Sequence, residues 1–417
     1  MKLFLATRGS QGDVYPYLGL ADALVKAGHD ITISIPKEFE KHAKSLGLNF
    51  MLQNEDDITA LVEGVPNFKR FLVWMQYCIE QQFKEYTDVV KNCDLIITAN
   101  TEFAAVHIAE YCRKPIIRTA FAPLLPTPKI FPPLLPFVKP PYILRPRFMW
   151  GLINIGLDKM VVKPINKIRA EYGMPPFKSQ AVYAPNNSDN FMMYSPTLAE
   201  VDPNWKYRWH ANGYCFNDIL PYDKDALKLL EQFVKKDSRP TVFFSLGSCT
   251  HKKRFTIADW ILDICAKHNY KLVVGAGWFK PAEYLGKAVD LFKLETYLPH
   301  NVIMPFFNAI IHHGGAGTTH SAARSGIPQL ILPIILDQFY FAGRTMKLGV
   351  SPGSPKHLKN LKRQFFEKKV VAMIEDPLYE KNAKSLAEKI NAEEGLEGMF
   401  KYIESVAAKY KSGGYQE

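Results

Sequence analysis

Residues 2–36 read KLFLATRGSQGDVYPYLGLADALVKAGHDITISIP and combine two hydrophobic periodicities. Residues 2–7 are a short apolar run typical of a buried strand, and residues 8–13 continue as a polar loop with two glycines. Apolar residues then recur at the i, i+3, i+4, i+7 spacing of a helix face, at Tyr17, Leu20, Ala21 and Leu24. Residues 30–36 alternate isoleucine with polar residues, as a strand does. This stretch therefore predicts one β-loop-α-β unit of a parallel α/β sheet.

The second half of the chain repeats this layout. Residues 239–248, RPTVFFSLGS, are again a strand that ends in a Gly/Ser loop, so a second sheet begins there. Further strands are predicted at 94–99 and 115–119 in the first sheet, and at 271–276, 302–304, 309–311 and 329–332 in the second. The pattern predicts two Rossmann-like α/β domains with parallel sheets. Because open α/β sheets bind ligands outside the carboxyl ends of their strands, we expect the two domains to face each other across a cleft.

The predicted domain boundaries follow from these repeats. We expect the first domain to span residues 1–212 and the second to span residues 239–395, with an interdomain linker at 213–238. The two domains then have 212 and 157 residues, and both sizes are within the usual range. Residues 396–417 are predicted to be a C-terminal helix and tail that pack back toward the first domain.

Composition excludes several classes of protein. The 417 residues, 47% hydrophobic and 22% charged, exclude a small disulfide scaffold and a mostly disordered chain. Six cysteines without a C-x-x-C pair are expected to be reduced thiols. The N-terminal apolar run is too short for a signal peptide and no run of about 18 apolar residues occurs, so we expect a cytoplasmic protein. The net charge of +11 leaves anionic ligands and anionic surfaces open as partners.

Residues 120–146, AFAPLLPTPKIFPPLLPFVKPPYILRP, are rich in proline and apolar side chains. Proline removes backbone donors and clashes with the preceding turn, so we predict a long loop and no long helix. Its apolar side chains favour a wall that lines an apolar pocket over a solvent-exposed spacer. Lys139, Arg145 and Arg147 lie beside this loop and are compatible with weak contact with an acidic membrane surface.

The motif with the most chemical information is HHGGAGTTH, residues 312–320, which follows a predicted strand and begins a helix. Three glycines allow a ligand to approach the backbone closely, and the free N–H groups of a helix start favour an anion. We therefore predict a phosphate or diphosphate site, to which His312 and Thr318 can add side-chain donors. The alternatives are a glycine turn required only for tight strand–helix packing, and a metal site, which the extended His312-His313 pair does not favour.

About twenty residues later, Asp337 and Gln338 follow an apolar strand. A carboxylate accepts hydrogen bonds and an amide both donates and accepts, so the pair suits adjacent sugar hydroxyls. The alternative reading of such a pair is a helix cap. A common sheet edge with the glycine-rich loop favours the sugar site.

Four stretches of this sequence together resemble a known family. Residues 312–344, HHGGAGTTHSAARSGIPQLILPIILDQFYFAGR, are similar to the donor-binding signature of GT-B glycosyltransferases that use nucleotide sugars. Residues 7–32, 243–248 and 298–315 also resemble that family, and the similarity is collinear over almost the whole chain. Within the UDP-glycosyltransferases, the resemblance is to the branch of sterol glucosyltransferases and of glycopeptide and macrolide antibiotic glycosyltransferases. It implies an α/β GT-B fold.

The resemblance assigns roles to individual positions. It implies that His312 and the backbone of Gly315, Gly317 and Thr318 contact the donor diphosphate, with a further phosphate contact from Ser248. Asp337 and Gln338 would bind the donor sugar, and a glutamine at this position resembles the glucose-using members. Trp278 is placed beside the nucleotide base, with core packing as the equal alternative.

Asp13 is the predicted catalytic base. Inverting glycosyl transfer needs a base that takes the proton of the acceptor hydroxyl, and the resemblance is to the branch with an aspartate at this place where plant relatives have a histidine. Ser10 would orient Asp13 or contact the acceptor. Helix N-capping is the alternative role of Asp13, and the two roles are compatible.

The residues and the resemblance together predict an inverting, metal-independent transferase that moves a hexose from a UDP-sugar to a hydroxyl of an apolar acceptor. The predicted hexose is glucose, and the acceptor is of the sterol, terpenoid, flavonoid or polyketide type. A dTDP-sugar donor stays open. No cofactor and no nucleic-acid partner are expected, and Asp223-Lys224-Asp225 is interpreted as a helix cap and not as a manganese site. The alternatives are a nucleotide-sugar epimerase or hydrolase on the same fold, and a catalytically silent nucleotide-sugar-binding protein.

Overall fold

The computed structural model describes residues 1–54, 68–141, 143–216, 221–247, 253–275 and 289–412. Within these residues the chain forms a seven-stranded and a five-stranded sheet, and every strand pair is parallel. Helices separate most consecutive strands, as is usual for parallel pairing, and the helix-free residues 193–208 connect β6 to β7. The two predicted α/β units with parallel sheets are therefore confirmed.

The first sheet contains β1 (Lys2–Ala6), β2 (Asp30–Ile35), β3 (Phe50–Leu52), β4 (Leu95–Ala99), β5 (Ile116–Ala120), β6 (Asp189–Met192) and β7 (Trp209–Ala211). Its helices are α1 (Gln11–Lys26), α2 (Glu40–Ser45), α3 (Phe68–Lys91), α4 (Ala105–Cys112), α5 (Pro146–Glu171) and α6 (Gln180–Asn186). The strand order β3-β2-β1-β4-β5-β6-β7 reverses direction at β1. A crevice forms at such a switch point, and the loop after β1 lies at it.

The second sheet contains β8 (Thr241–Ser245), β9 (Lys271–Val274), β10 (Leu291–Lys293), β11 (Ala309–His312) and β12 (Gln329–Ile331). Its helices are α7 (Lys224–Lys235), α8 (Arg254–His268), α9 (His300–Ile303), α10 (Ala316–Arg324), α11 (Gln338–Lys347), α12 (Arg363–Glu375) and α13 (Pro377–Asn391). The order β10-β9-β8-β11-β12 reverses between β8 and β11. The loop after β11, which carries the glycine-rich motif, therefore lies at the switch point of this sheet.

One sequence-based expectation for these elements needs correction, and the predicted linker contains a helix. Residues 302–304 were expected to be a strand but belong to α9 and a 3-10 turn at Met304–Phe306, because Pro299 precedes the helix and Pro305 suits the first turn of the 3-10 segment. Within residues 213–238, the predicted interdomain linker, α7 packs Leu230 against Phe243 and Val273 of the second sheet, and the exact domain boundaries stay a prediction. Asp223 does cap α7, since its Oδ1 accepts from Asp225 N at 2.9 Å and Ala226 N at 3.0 Å.

The final helix, α14 (Leu396–Lys411), returns to the first domain. Met399, Ile403 and Val406 are buried in the cluster that includes Leu3 and Leu20 from the first sheet and α1. The chain crosses between the domains at Gly213 and Gly395, where Gly395 N donates to Asn212 O at 2.7 Å. A Cβ at Gly213, which has φ +119°, would lie 2.8 Å from Gly395 N, so the crossing requires a glycine.

The proline-rich segment forms an extended loop, as expected, and its first half, residues 120–133, is mostly buried between the domains. Leu125 and Ile130 belong to a hydrophobic cluster that also contains Phe341 of α11 and Leu386 of α13. Two indole groups hold the loop: Trp205 Nε1 donates to Leu125 O at 3.1 Å, and Trp150 Nε1 donates to Ile130 O at 2.9 Å. This half of the segment therefore joins the two domains, and its role as an acceptor-pocket wall stays a prediction.

Two other expectations concern the whole chain. Five cysteines in the described ranges are free thiols, in agreement with the expected reduced state. None of the helices between residues 1 and 412 that the structure describes combines the length and the apolar character needed to cross a membrane.

Candidate active site

Two loops from different domains meet at one place in the cleft. The first follows β1 and begins α1, and the second follows β11 and begins α10. A Cβ added to Gly317, in the first turn of α10, would lie 3.9 Å from Cα of Gly12 and 3.2 Å from the hydroxyl of Tyr214. The N-terminal ends of α1 and α10 are therefore in near contact, and a Cβ at position 317 would crowd the Tyr214 hydroxyl while making an ordinary contact with Gly12.

Asp13 lies in the first turn of α1, and its carboxylate turns back onto the start of that helix. Oδ2 accepts hydrogen bonds from Ser10 N at 2.9 Å and Ser10 Oγ at 3.2 Å. Among the described residues, none donates to Oδ1. Burial raises the pKa of Asp13 to about 6 and outweighs the two Ser10 hydrogen bonds, which lower it. One oxygen thus caps the helix while the other is open to a ligand, so both roles predicted for Asp13 are geometrically compatible.

The loop that carries Asp13 is held from both sides. Gly9 has φ +125°, and a Cβ there would overlap the Asp13 carboxylate, so glycine is required for the carboxylate to turn back. Arg8 is buried and forms a two-pronged ion pair with Glu102, at 2.8 Å from Nε to Oε1 and 3.0 Å from NH2 to Oε2. The sequence analysis missed Arg8 and Glu102, because no local pattern links them.

The glycine-rich loop presents backbone donors that have no acceptor among the described residues. The first intrahelical bond of α10 joins Thr319 N to Gly315 O at 3.0 Å, so the amides of Ala316, Gly317 and Thr318 precede the hydrogen-bond ladder. Gly315 occupies the N-cap without a side-chain cap. Gly314 has φ +95°, and a Cβ there would meet the Ile331 side chain at 2.5 Å. The loop is thus closely packed on one side, and on the other its amides are free of partners within the described part of the chain, which is the geometry predicted for an anion site.

His312 differs from the prediction. The ring is completely buried, Gly314 N donates to Nδ1 at 3.1 Å, and Nε2 lies 3.0 Å from Gln329 Oε1. Burial lowers the pKa of His312 to about 3, so the ring is neutral and Nε2–H is the donor to Gln329. Both nitrogens are occupied, and in this geometry the side chain has no N–H to offer a diphosphate. The ring instead holds the shape of the loop.

His313 is a neighbour to which the sequence analysis gave no role. Its ring packs between two glycines, since a Cβ at Gly247 would lie 2.8 Å from Cε1 and one at Gly315 would lie 2.6 Å from Nε2. Nδ1 is buried and has no hydrogen-bond partner within the described part of the chain. Burial lowers the pKa of His313 to about 4, so this ring is also neutral. The two consecutive histidines were the one feature of the sequence that could have indicated a role for His313.

Asp337 and Gln338 begin α11 at the edge of the same cleft. Asp337 occupies the N-cap position, but its side chain makes no capping hydrogen bond, which disfavours the cap alternative. Burial and the charge of Asp13 together raise the pKa of Asp337 to about 7. Gln338 Oε1 accepts from Ile334 N at 2.8 Å and Ile335 N at 3.1 Å, and its amide nitrogen has no partner among the described residues. The pair therefore presents one carboxylate and one amide donor.

Two predicted donor contacts lie outside the described residues. Ser248 follows Gly247, where the description of the loop after β8 ends, and Trp278 lies between the described ranges 253–275 and 289–412. Their predicted roles at the phosphate and at the nucleotide base stay predictions.

A buried polar contact couples the domains beside the site. His320 in α10 accepts from Ser195 N at 3.1 Å through Nε2, while its Nδ1 donates to Ala316 O at 2.7 Å. Its ring stacks on Tyr214 with centroids 4.4 Å apart. Ser195 Oγ in turn donates to Glu393 Oε1 at 2.7 Å. This contact fixes the start of α10 relative to the first domain, and no local pattern in the sequence predicted it.

Family models match both halves of the chain. Residues 3–127 match the glycosyltransferase family 28 N-terminal domain, and residues 262–398 match the C-terminal domain described as erythromycin biosynthesis protein CIII-like. These two segments carry the Asp13 loop and the glycine-rich loop, respectively.

Curated relatives align over almost the whole chain. Sterol 3-beta-glucosyltransferase from Pichia angusta is 26% identical over 94% of this chain and 32% of its own length. Sterol 3-beta-glucosyltransferase UGT80A2 from Arabidopsis thaliana is 24% identical over 96% of this chain and 65% of its own length. The chain thus spans about a third of the first relative and somewhat under two thirds of the second.

Solved structures share the fold. The glycotransferase of kitacinnamycin superposes with a TM-score of 0.74 at 16% identity and covers 97% of this chain and 99% of its own. The glycosyltransferase VinC in complex with DTDP gives a TM-score of 0.70 at 17% identity over 98% of this chain and 100% of its own. Together with the two facing parallel sheets, these similarities show the GT-B fold, and the family models and curated relatives show that both halves of the chain are similar to glycosyltransferases.

Proposed function

We propose that this protein is an inverting, metal-independent glycosyltransferase that moves glucose from UDP-glucose to a hydroxyl of an apolar acceptor. The observation that carries the proposal is the convergence of three groups on one cleft. These are the Asp13 carboxylate, the free amides at the start of α10, and the Asp337–Gln338 pair. A general base, an anion site and a sugar-binding pair are the parts that this reaction needs.

Asp13 acts as the base in this scheme. The acceptor oxygen attacks the anomeric carbon and transfers its proton to Asp13, while the bond from that carbon to the diphosphate oxygen breaks. Attack from the face opposite the leaving group inverts the configuration. A pKa of about 6 makes Asp13 a stronger base than an ordinary aspartate, yet leaves it mostly ionised at pH 7.

The start of α10 stabilises the departing diphosphate. Its amides at Ala316, Gly317 and Thr318 are free of intrahelical bonds, and the helix dipole adds partial positive charge at this end. His312 contributes by holding the loop in shape through Gly314 and Gln329. These donors supply the stabilisation for which other glycosyltransferases use a metal ion.

Recognition of the sugar and the identity of the acceptor rest on other observations. Asp337 would accept from sugar hydroxyls and the Gln338 amide would donate to one, since its carbonyl oxygen is already bound by the backbone. The curated relatives are named sterol 3-beta-glucosyltransferases, which supports a sterol-like acceptor. One of the similar solved structures is a complex with DTDP, so UDP as the donor nucleotide is part of the proposal.

The test compares purified wild-type protein with Asp13→Ala and with the surface control Asp88→Ala. Each is incubated with UDP-glucose or dTDP-glucose and a panel of sterol, terpenoid, flavonoid and polyketide acceptors, with detection by mass spectrometry. We expect a glucoside from the wild type and the control, and a loss of about 10²–10⁴-fold in Asp13→Ala with nearly unchanged UDP binding.

Other outcomes separate the alternatives. Release of free glucose or an epimerised nucleotide sugar without any glucoside would indicate a hydrolase or epimerase. UDP binding without turnover of any donor would indicate a silent binding protein. Full activity in Asp13→Ala would disprove the base assignment.

A further inference from the structure

The first three turns of α5 expose an apolar face that has no partner in the described chain. Phe148, Leu152 and Ile155 follow the i, i+4, i+7 spacing of one helix side and are 61%, 48% and 55% exposed. Ile143, two residues before the helix cap, is 89% exposed. With Gly151, the three helix residues line an open concavity of about 450 Å³.

The opposite side of α5 is buried against the rest of the domain. Met149, Trp150 and Val161 are buried, and Ile165 and Ile168 continue this buried stripe along the helix. The exposed stripe is therefore not the core-facing side of the helix. A contiguous apolar patch on a surface marks a binding site more often than a scattered exposed residue does.

Cations surround this apolar face. Arg145 and Arg147 line the same concavity, and Lys139 and Lys159 are exposed nearby in sequence. None of the four forms an ion pair within the described residues. Their placement also opposes the helix dipole, because Arg145 is the N-cap, Arg147 lies in the first turn, and this turn contains no acidic residue. Positive charge at a helix N-terminus is unfavourable for the isolated protein, so an external anionic partner accounts for it better than the fold does.

We infer that this face, defined by Ile143, Arg145, Arg147, Phe148, Leu152 and Ile155, is a docking surface for an anionic lipid bilayer. Apolar side chains on one helix face insert at the boundary of headgroups and acyl chains, and flanking cations contact the lipid phosphates. The inference does not depend on the proposed transferase activity, since it concerns binding alone.

Charge decides between a bilayer and a second copy of the chain. A two-fold dimer through this face would bring the same arginines of both copies together at its edge. Like charges at the rim oppose such an interface, whereas an anionic membrane attracts all of them.

The test is flotation of the full chain with vesicles of phosphatidylcholine alone, or with about 30% phosphatidylglycerol as the anionic lipid. We expect wild-type protein to bind the anionic vesicles at least tenfold better than the neutral ones, and raised salt to weaken this binding. Phe148→Ser/Leu152→Ser/Ile155→Ser should lose at least tenfold in binding. Arg145→Glu/Arg147→Glu should lose at least about twentyfold, since each cation near an anionic surface contributes about fivefold.

The matched control is Leu229→Ser/Leu378→Ser, which removes two leucines of similar exposure on α7 and α13 and should bind like the wild type. Circular dichroism of each variant establishes that it is folded. Equal binding of wild type to neutral and anionic vesicles, or equal binding by all variants, would overturn the inference. So would a dimer in sedimentation velocity without lipid that the triple serine variant dissolves, because the face would then bind a second copy.

Discussion

Asp13 and Asp337 belong to different domains, yet the charge of Asp13 raises the pKa of Asp337. The two carboxylates therefore share one electrostatic environment in the cleft, and burial disfavours ionisation of both. Asp13 has the lower pKa, at about 6, and ionises first, and its charge then delays ionisation of Asp337 to about 7. In the proposed reaction this order keeps the base ionised while Asp337 is still partly protonated near neutral pH.

The first prediction concerns this coupling. Asp13→Asn removes the charge and keeps the shape, so the pKa of Asp337 should fall below 7 toward the ordinary aspartate range while remaining raised by burial. Carbon-13 NMR titration of the Asp337 carboxyl measures this shift. Asp88→Asn, on the surface of the first domain, is the control and should leave Asp337 unchanged. An unaltered titration in Asp13→Asn would show that the two carboxylates do not interact.

The second prediction follows from linkage. The folded-state pKa of Asp337 is raised from its ordinary value of 3.8 to about 7, so its contribution to stability is complete below pH 3.8 and is lost as the pH rises through 7. Asp337→Asn avoids this loss and should raise the free energy of unfolding at pH 8 by roughly 1–3 kcal/mol. The gain should diminish progressively toward pH 4. Chemical denaturation at both pH values measures it, and an equal effect at pH 4 and pH 8 would contradict the linkage.

The third prediction concerns the glycine-rich loop. His312→Ala removes the acceptor for Gly314 N–H and the donor to Gln329, so the free amides of α10 should lose their alignment. We expect UDP affinity to fall by about tenfold or more in calorimetric titration, roughly the effect of one lost charge-assisted contact. His268→Ala, a histidine of α8 that pairs with Glu367, is the control. Unchanged UDP affinity in His312→Ala would remove the assignment of this loop to the diphosphate.

The fourth prediction concerns the domain interface. His320→Phe keeps an aromatic ring against Tyr214 but leaves the Ser195 N–H buried without an acceptor. Such a group costs about 1–3 kcal/mol, so the free energy of unfolding should fall by that amount. Denaturant unfolding measures the change, and the surface variant Asn154→Ala of α5 serves as reference. A variant as stable as the wild type would mean that the Ser195 contact contributes nothing.

The local sequence predicted those parts of the fold that depend on neighbouring residues. The strands at residues 2–7 and 309–311 and the helix after the Asp13 loop follow from hydrophobic periodicity within a few residues. The failure at 302–304 has the same origin, because a short apolar run beside prolines fits a strand and a helix turn equally well. The strands β3, β6, β7 and β10 were missed, because each has only three or four residues and no pattern distinguished these residues from loop; β9, β11 and β12 are equally short but were predicted from their apolar runs.

In the candidate site, too, the features that depend on local sequence were predictable and those that depend on distant residues were not. The residue types and spacing of HHGGAGTTH, of Asp13 and of the Asp337–Gln338 pair were enough to indicate an anion site, a base and a sugar-binding pair. The protonation of His312 was not predictable, because it depends on Gln329 in the next strand and on complete burial. The role of Arg8 depends in the same way on Glu102.

The sequence by itself determined that two similar parallel α/β units occur and that each ends its first or central strand in a glycine-containing loop, because these features arise from local periodicity and backbone freedom. Only the tertiary structure decided that Asp13 and Asp337 influence each other's environment, that His312 is neutral with both nitrogens used, and that α5 leaves an apolar face exposed. Electrostatic coupling, desolvation and exposure depend on residues that are far apart in the chain, so they exist only once the two domains have packed together.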